Sequence, residues 1–237
     1  GYDHAVGEAA EICIDACNNI GDVETIDVEF REHWGGIFEA HPWLSGPSDS
    51  YLGFWKRGGG AGGEHSHAIH LWQTFANSLK LGRVTEVQAQ LDYVTDDNMD
   101  YDRLCMMTLK TATGFIGRVV QDVVTRPTHK WGRIQGSSGA VEWIGGYQPG
   151  KDAVMLHSLG SESRTEEVSK TRPDDFIREM RHIETLVGSD PTTSPLYAER
   201  ALETMMVVAA AHRSHAAGRR VRIDYDQGYT LESLSEI

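Results

Sequence analysis

Gly58-Gly59-Gly60-Ala61-Gly62-Gly63-Glu64-His65-Ser66-His67-Ala68-Ile69-His70-Leu71-Trp72 is the stretch on which the reading of this chain turns. Gly58, Gly60 and Gly63 satisfy the G-x-G-x-x-G spacing of a dinucleotide-binding turn, and a helix and then a strand follow. That fingerprint also requires a buried strand ahead of it and an acidic residue about 20 positions later. Here Tyr51-Leu52-Gly53-Phe54-Trp55-Lys56-Arg57 precedes the glycines, position 83 is Arg, and the nearest following acid is Glu86. No further βαβ unit comes afterwards; a meander does. The run therefore reads as a flexible entry to a helix over about 64–80, whose apolar stripe is Ala68, Leu71, Trp72, Phe75, Ala76 and Leu79.

Beyond that helix the period changes from helical to strand-like. Segments 83–95, 101–111, 114–126, 130–136, 139–145, 152–159 and 163–169 read as strands separated by Gly, Asp-Asp-Asn or Ser-Gly turns. Several connections are too short for a parallel crossover, so most of the sheet is expected to be antiparallel. Ahead of the glycines, residues 3–20 read as a helix capped by Asp3 and stopped by Gly21. Ile26, Val28 and Phe30 alternate with charged residues as a strand, and 33–57 is a long aromatic-rich connection. Helices over about 173–187 and 195–217 and a strand from Arg220 to Tyr225 close the chain. The expectation is an α+β fold, a mostly antiparallel open-faced sheet with helices packed on one face. The segment 114–124 is apolar on both sides, through Phe115, Ile116, Val119, Val120, Val123 and Val124, so the free face is expected to be covered by a second copy.

Composition bounds the function. The 237 residues are 40% hydrophobic and 24% charged, which is ordinary for a globular protein. A net charge of −13 argues against a nucleic-acid partner, and no apolar run approaches the roughly 20 residues needed to span a bilayer. Three cysteines, of which Cys13 and Cys17 fall on the apolar face of one helix, point to a reducing, cytoplasmic setting. The sequence opens on Gly1 rather than Met and carries no signal-peptide pattern, as a segment of a longer protein would.

The chemistry concentrates after the glycines. Glu64, His65, His67 and His70 are competent metal ligands, yet there is no H-E-x-x-H pattern, and His129, His157, His182, His212 and His215 are scattered. No metal is expected. At 100° per residue, His67 and His70 fall nearly opposite the apolar stripe and away from the core, beside a helix N-terminus that the glycines leave bare. An imidazole there, with a pKa near neutrality, suits general acid–base work on a bound molecule.

These residues and two later blocks resemble a known family. Gly58-Gly59-Gly60 … Glu64-His65-Ser66-His67-Ala68-Ile69-His70-Leu71-Trp72 is similar to the D-x-G-x-H-x-x-D entry of the glucose–fructose oxidoreductase / inositol dehydrogenase / MocA family. Gly114-Phe115-Ile116-Gly117 … Gln121-Asp122-Val123-Val124-Thr125-Arg126-Pro127, with Gly136-Ser137-Ser138-Gly139-Ala140-Val141-Glu142-Trp143, resembles its central sheet. Ala201-Leu202-Glu203 … Ala211-His212-Arg213-Ser214 … Gly218-Arg219-Arg220-Val221 resembles its closing helix and strand.

The resemblance implies one half of a two-domain oxidoreductase that uses NAD or NADP on a sugar, cyclitol or nucleotide-sugar hydroxyl. Residues 1–237 would be a single substrate-binding and oligomerising domain. The nucleotide-binding domain, with its E-K-P lysine, would lie outside this chain, joined near Gly1-Tyr2-Asp3-His4-Ala5-Val6, and the assembly would be a homodimer or homotetramer through the sheet face. Carried over by position, His67 is the catalytic histidine, and Glu64 assists it where an aspartate is usual, one residue closer than in the pattern. His70 replaces a second aspartate, and His70, Lys56, Arg57 and Arg126 would bind substrate. Two rival expectations remain open from the residues: a non-catalytic sugar-binding or assembly module, and a metal-dependent hydrolase.

Overall fold

β-Branched and aromatic side chains pack well on a pleated surface, and seven segments rich in them, one after another, build most of one sheet. The structure, a computed structural model, describes residues 1–171 and 173–237. A 3₁₀ turn at Asp3–Val6 leads to α1 (Glu8–Ala16), β1 (Val23–Arg31) and α2 (Trp34–Ala40). Three 3₁₀ turns, ending at Trp55–Arg57, connect to α3 (Gly60–Glu64) and α4 (His67–Ser78). The meander follows as β2 (Val84–Thr95), β3 (Asp100–Thr111), β4 (Ile116–Asp122), β5 (His129–Gly136), β6 (Gly139–Gln148), β7 (Lys151–Ser158) and β8 (Arg164–Ser169). Next come α5 (Asp174–Leu186), α6 (Ala198–Ala217), β9 (Val221–Ile223) and β10 (Leu234–Glu236).

The ten strands form one sheet in the order β10-β9-β2-β3-β4-β1-β5-β6-β7-β8. β1 inserts between β4 and β5, parallel to β4 and antiparallel to β5. The other neighbouring strands pair antiparallel. Helices α1, α4 and α6 cover one face, so the expected α+β architecture with an open-faced sheet is the observed one.

The core sits between α4 and the centre of the sheet. Ala68, Ile69, Leu71, Trp72, Phe75 and Ala76 are all buried, and full burial of one such large apolar side chain contributes about 1.5–3 kcal/mol. Trp72 Nε1 donates to the Ile26 carbonyl at 2.9 Å, which satisfies the indole deep in the core. Gly117 on β4 makes room for it, since a Cβ there would stand 2.7 Å from Trp72 Nε1.

Three expectations change. The first helix is broken by Gly7, so Asp3 and His4 belong to a separate turn rather than to a continuous helix. The glycine run is not a flexible entry: Gly60, Ala61 and Gly62 are buried in α3, and Ser66 N and Ala68 N bond back to the Gly63 and His65 carbonyls. The α4 N-terminus is therefore abutted by α3 rather than bare. The connection over 33–57 contains α2, and the tail contains β10. As expected for an open-faced sheet, one side of β4 is uncovered in this chain, with Ile116 53% exposed.

Candidate active site

The junction of α3 and α4 carries Glu64, His65, Ser66, His67 and His70. Facing it are Tyr2, Asp3 and His4 from the chain start, Phe30 and Glu32 at the end of β1, Lys130 on β5, and Tyr51. His67 Nδ1 lies 3.5 Å from Asp3 Oδ1, and the His67 side chain keeps 30% of its surface exposed. Tyr2 and His4 present their rings edge-on to the His67 ring at centroid distances of 5.2 and 5.4 Å, and Phe30 lies parallel at 6.5 Å. His4 packs in turn on Phe30 and Trp143.

The surroundings push the titratable groups toward their neutral forms. Burial holds His67 below the usual imidazole pKa, the Asp3 carboxylate opposes this, and Lys130 and the Gly1 amino group add to the depression. Burial likewise holds His4 well below its usual value, helped by His67, Lys130 and Lys170. Burial raises the Glu64 carboxyl, and Glu32 adds to the rise, while the Tyr51 hydroxyl, donating to Glu64 Oε2 at 3.1 Å, opposes it. The Tyr51 phenol is itself pushed up to about 12 by burial and by Glu64. Lys130 pairs with Glu32 at 2.9 Å.

His70 does not face away from the core. It is 2% exposed, its ring is stacked under Tyr2 at 4.0 Å, and its Nε2 donates to the Pro195 carbonyl at 2.9 Å. The helical-wheel argument fails here because the N-terminal turn and the approach to α6 cover a surface that α4 alone would leave open. On the side away from Tyr2, His70 lines a cavity with Gln73, Arg200 and Glu203. Burial depresses its pKa to about 3. His65 is also buried, with Nε2 3.3 Å from the Glu32 carbonyl and a pKa depressed by burial to about 4.

The remaining sequence candidates are spread out. No hydrogen bond or ion pair joins Glu64 to His67 among the described residues; both line the same junction. Lys56 and Arg57 are exposed, with their cations over the Trp55 ring at 5.2 Å and the Phe54 ring at 4.1 Å. Arg126 is exposed and donates to His33 Nδ1 at 2.7 Å. Sequence reasoning missed Tyr2, Asp3, His4, Tyr51 and Lys130 as site residues. Asp3 and His4 stand more than 60 positions from His67, and Asp3 reads locally as a helix cap. The one signal pointing to them was their place at the domain crossover that the family resemblance implies.

The glycine turn cannot cradle a phosphate. Gly62 N already donates to Asp102 Oδ2 at 2.7 Å, so the chain's own carboxylate occupies the anion position at the start of α3. As for metals, one ligand atom each from Asp3, His4 and His67 lies within 4.8 Å of the other two.

No protein-family model matches the sequence, and no curated protein matches it. The fold has clear relatives among solved structures. Levoglucosan dehydrogenase in complex with NADH and levoglucosan superposes with a TM-score of 0.72 at 17% identity, over 94% of this chain and 65% of that one. An NAD-binding oxidoreductase from Klebsiella pneumoniae gives 0.71 at 15% identity, over 94% and 65%. An inositol dehydrogenase homolog from Azotobacter vinelandii, complexed with NADH and myo-inositol, gives 0.64 at 14%, over 93% and 63%. The chain thus has the fold of a region found in oxidoreductases of this kind, and it spans slightly less than two thirds of their length.

Proposed function

We propose that this chain is the substrate-side domain of an NAD(P)-dependent oxidoreductase acting on a hydroxyl of a sugar, cyclitol or nucleotide sugar. The observation that carries the reading is the Asp3–His67 pair, held at a partly exposed edge of a half-buried aromatic cluster. The fold shared with dehydrogenases whose structures hold NADH beside levoglucosan or myo-inositol supports it. NAD or NADP, held mainly by a nucleotide-binding domain outside this chain, supplies the hydride acceptor.

The Asp3 carboxylate, 3.5 Å from His67 Nδ1, favours the tautomer with its proton on that nitrogen, which leaves Nε2 as a bare lone pair. Nε2 takes the hydroxyl proton as the substrate C–H electrons leave, and Asp3 steadies the imidazolium that forms. Because the depressed pKa of His67 keeps the ring neutral near pH 7, the base form is the resting one. Glu64, bridged to Tyr51, orients a second hydroxyl, and Lys56, Arg57 and Arg126 form a cationic rim. His70, under Tyr2, supports the tyrosine that borders His67. A second copy of the chain on the open sheet face completes the assembly.

The test uses the protein carrying its nucleotide-binding domain. His67→Ala is expected to lower turnover by about 10²–10⁴-fold, the usual contribution of a positioned proton acceptor, with cofactor affinity unchanged. Unchanged turnover rejects the role.

A further inference from the structure

The Asp3–His4–His67 cluster holds more ligand atoms than a proton-transfer pair uses. Each residue places one within 4.8 Å of the other two. The Asp3 Oδ1 to His67 Nδ1 separation of 3.5 Å is long for a hydrogen bond. It is close to the edge of about 3.3 Å between ligands held 2.0–2.1 Å from a tetrahedral ion. His67 Nδ1 is buried without a hydrogen-bond partner. Two imidazoles and one carboxylate are a donor set for zinc-like ions, whereas magnesium and calcium prefer oxygen alone.

We infer that Asp3, His4 and His67 form a three-ligand site for a divalent transition-metal ion of the zinc class, with its fourth position on the exposed side of His67. The ion would clip the Asp3–Val6 turn to the start of α4, two segments otherwise joined here by ring contacts and the Tyr2–Ser66 hydrogen bond. The cations that bear on the cluster are largely neutralised in place. Lys130 is paired with Glu32 at 2.9 Å, and Lys170 with Asp152 and Asp175 at 2.7 and 2.6 Å.

One consequence rests on the proposed function. An ion on Nδ1 of a neutral imidazole leaves the ring proton on Nε2, so metallated His67 cannot accept the substrate proton. The site would then be inhibitory, shutting the base whenever the ion is bound.

The site is tested by titrating Co2+ into the chain and following the visible d–d absorption of a four-coordinate ion. Saturation at one equivalent, with the band bleached by Zn2+, is the expected result. Asp3→Asn, His4→Gln and His67→Gln should each weaken Co2+ affinity at least about 10-fold, since even partners outside the ligand set change affinity by 10–100-fold. Circular dichroism checks that each variant is folded. His67→Gln keeps the test decisive if His4→Gln, which removes a ring packed on Phe30 and Trp143, does not fold. Absence of a four-coordinate band, or a band undiminished in folded His67→Gln, overturns the inference. Turnover of the chelator-treated, metal-free two-domain protein reports separately on the proton-transfer role, so either reading can fail without the other.

Discussion

A Cβ built on Gly60 would stand 1.9 Å from Asp102 Oδ1, and the residue has a φ of +77°. Gly59 and Gly63 are as tight, 2.2 Å from the Tyr51 carbonyl and 2.1 Å from the Gly58 carbonyl. The glycines therefore serve close approach of backbone to backbone and to a buried carboxylate, where any side chain would collide. Gly60→Ala combines a left-handed backbone penalty of about 1–2 kcal/mol with overpacking of about 1–3 kcal/mol. The expected loss is about 2–5 kcal/mol in urea unfolding. An alanine variant as stable as the parent would mean that α3 is not packed as described. Because α3 leads straight into Glu64 and His67, the same variant should also disturb the candidate active site.

At the scale of elements, α3 is seated on β3 through Asp102, which is fully buried beside Tyr93 and His212. Tyr93 O–H and His212 Nδ1 share a hydrogen bond at 2.5 Å, Trp55 stacks on the His212 ring, and His212 Nε2 lies 3.9 Å from Asp102 Oδ1. Burial depresses His212 to about 4 and raises Asp102 to about 7, the Gly62 N–H opposing the rise. Asp102 thus binds its proton more tightly in the folded chain than in the unfolded one, where its pKa is about 3.9. Its contribution to stability is complete below that value and is lost as pH rises through about 7. Asn imitates the protonated acid, so Asp102→Asn should gain on the parent from pH 4 to 7 and hold a constant difference above. At about 1.4 kcal/mol per unit the gain is on the order of 2–4 kcal/mol. A difference independent of pH, measured by denaturant titration at pH 4.5, 6 and 8, would contradict the buried acid.

This seam also marks what was legible in the sequence. Strands β2 to β8 were readable because alternation and turn residues repeat without interruption from Arg83 to Ser169. The insertion of β1 between β4 and β5 was not, since nothing local to Ile26, Val28 and Phe30 names their partners. Helix α2 hid in a stretch containing Gly35 and Gly36, and β10 is only three residues long. His67 was singled out as a candidate by its place after the glycines. Asp3, His4 and Tyr2 were not, because their contact with it is made by the fold alone.

At the scale of the whole molecule, one face of the sheet carries no helix among the described residues. Met106 pairs with Val120 across β3 and β4 on that face, the Thr108–Arg118 pair comes next, and Ile116 lies beyond it opposite Lys110, with Gln88 and Gln90 alongside on β2. Met106 is 43% and Ile116 53% exposed, while Arg118 is held by Asp27 at 2.9 Å and does not shield them. Exposed apolar side chains set among polar groups and charges already paired within the chain, Arg118 with Asp27, Arg31 with Glu29 and Lys110 with Glu86, suit an interface between copies. The pairing of Asp27 and Glu29 with arginines on this face limits the repulsion that a chain of net charge −13 would otherwise meet in bringing two copies together. A second apolar row is exposed on α5, through Phe176, Met180, Ile183 and Val187, and it makes a direct control. Light scattering during size exclusion should give a dimer or tetramer for the parent chain. The double variant Met106→Lys/Ile116→Lys should be monomeric, because two such charges per copy would be buried without partners. Met180→Lys should leave the assembly intact. A monomeric parent chain, or an assembly lost only with Met180→Lys, would show that the open sheet face is not where copies meet.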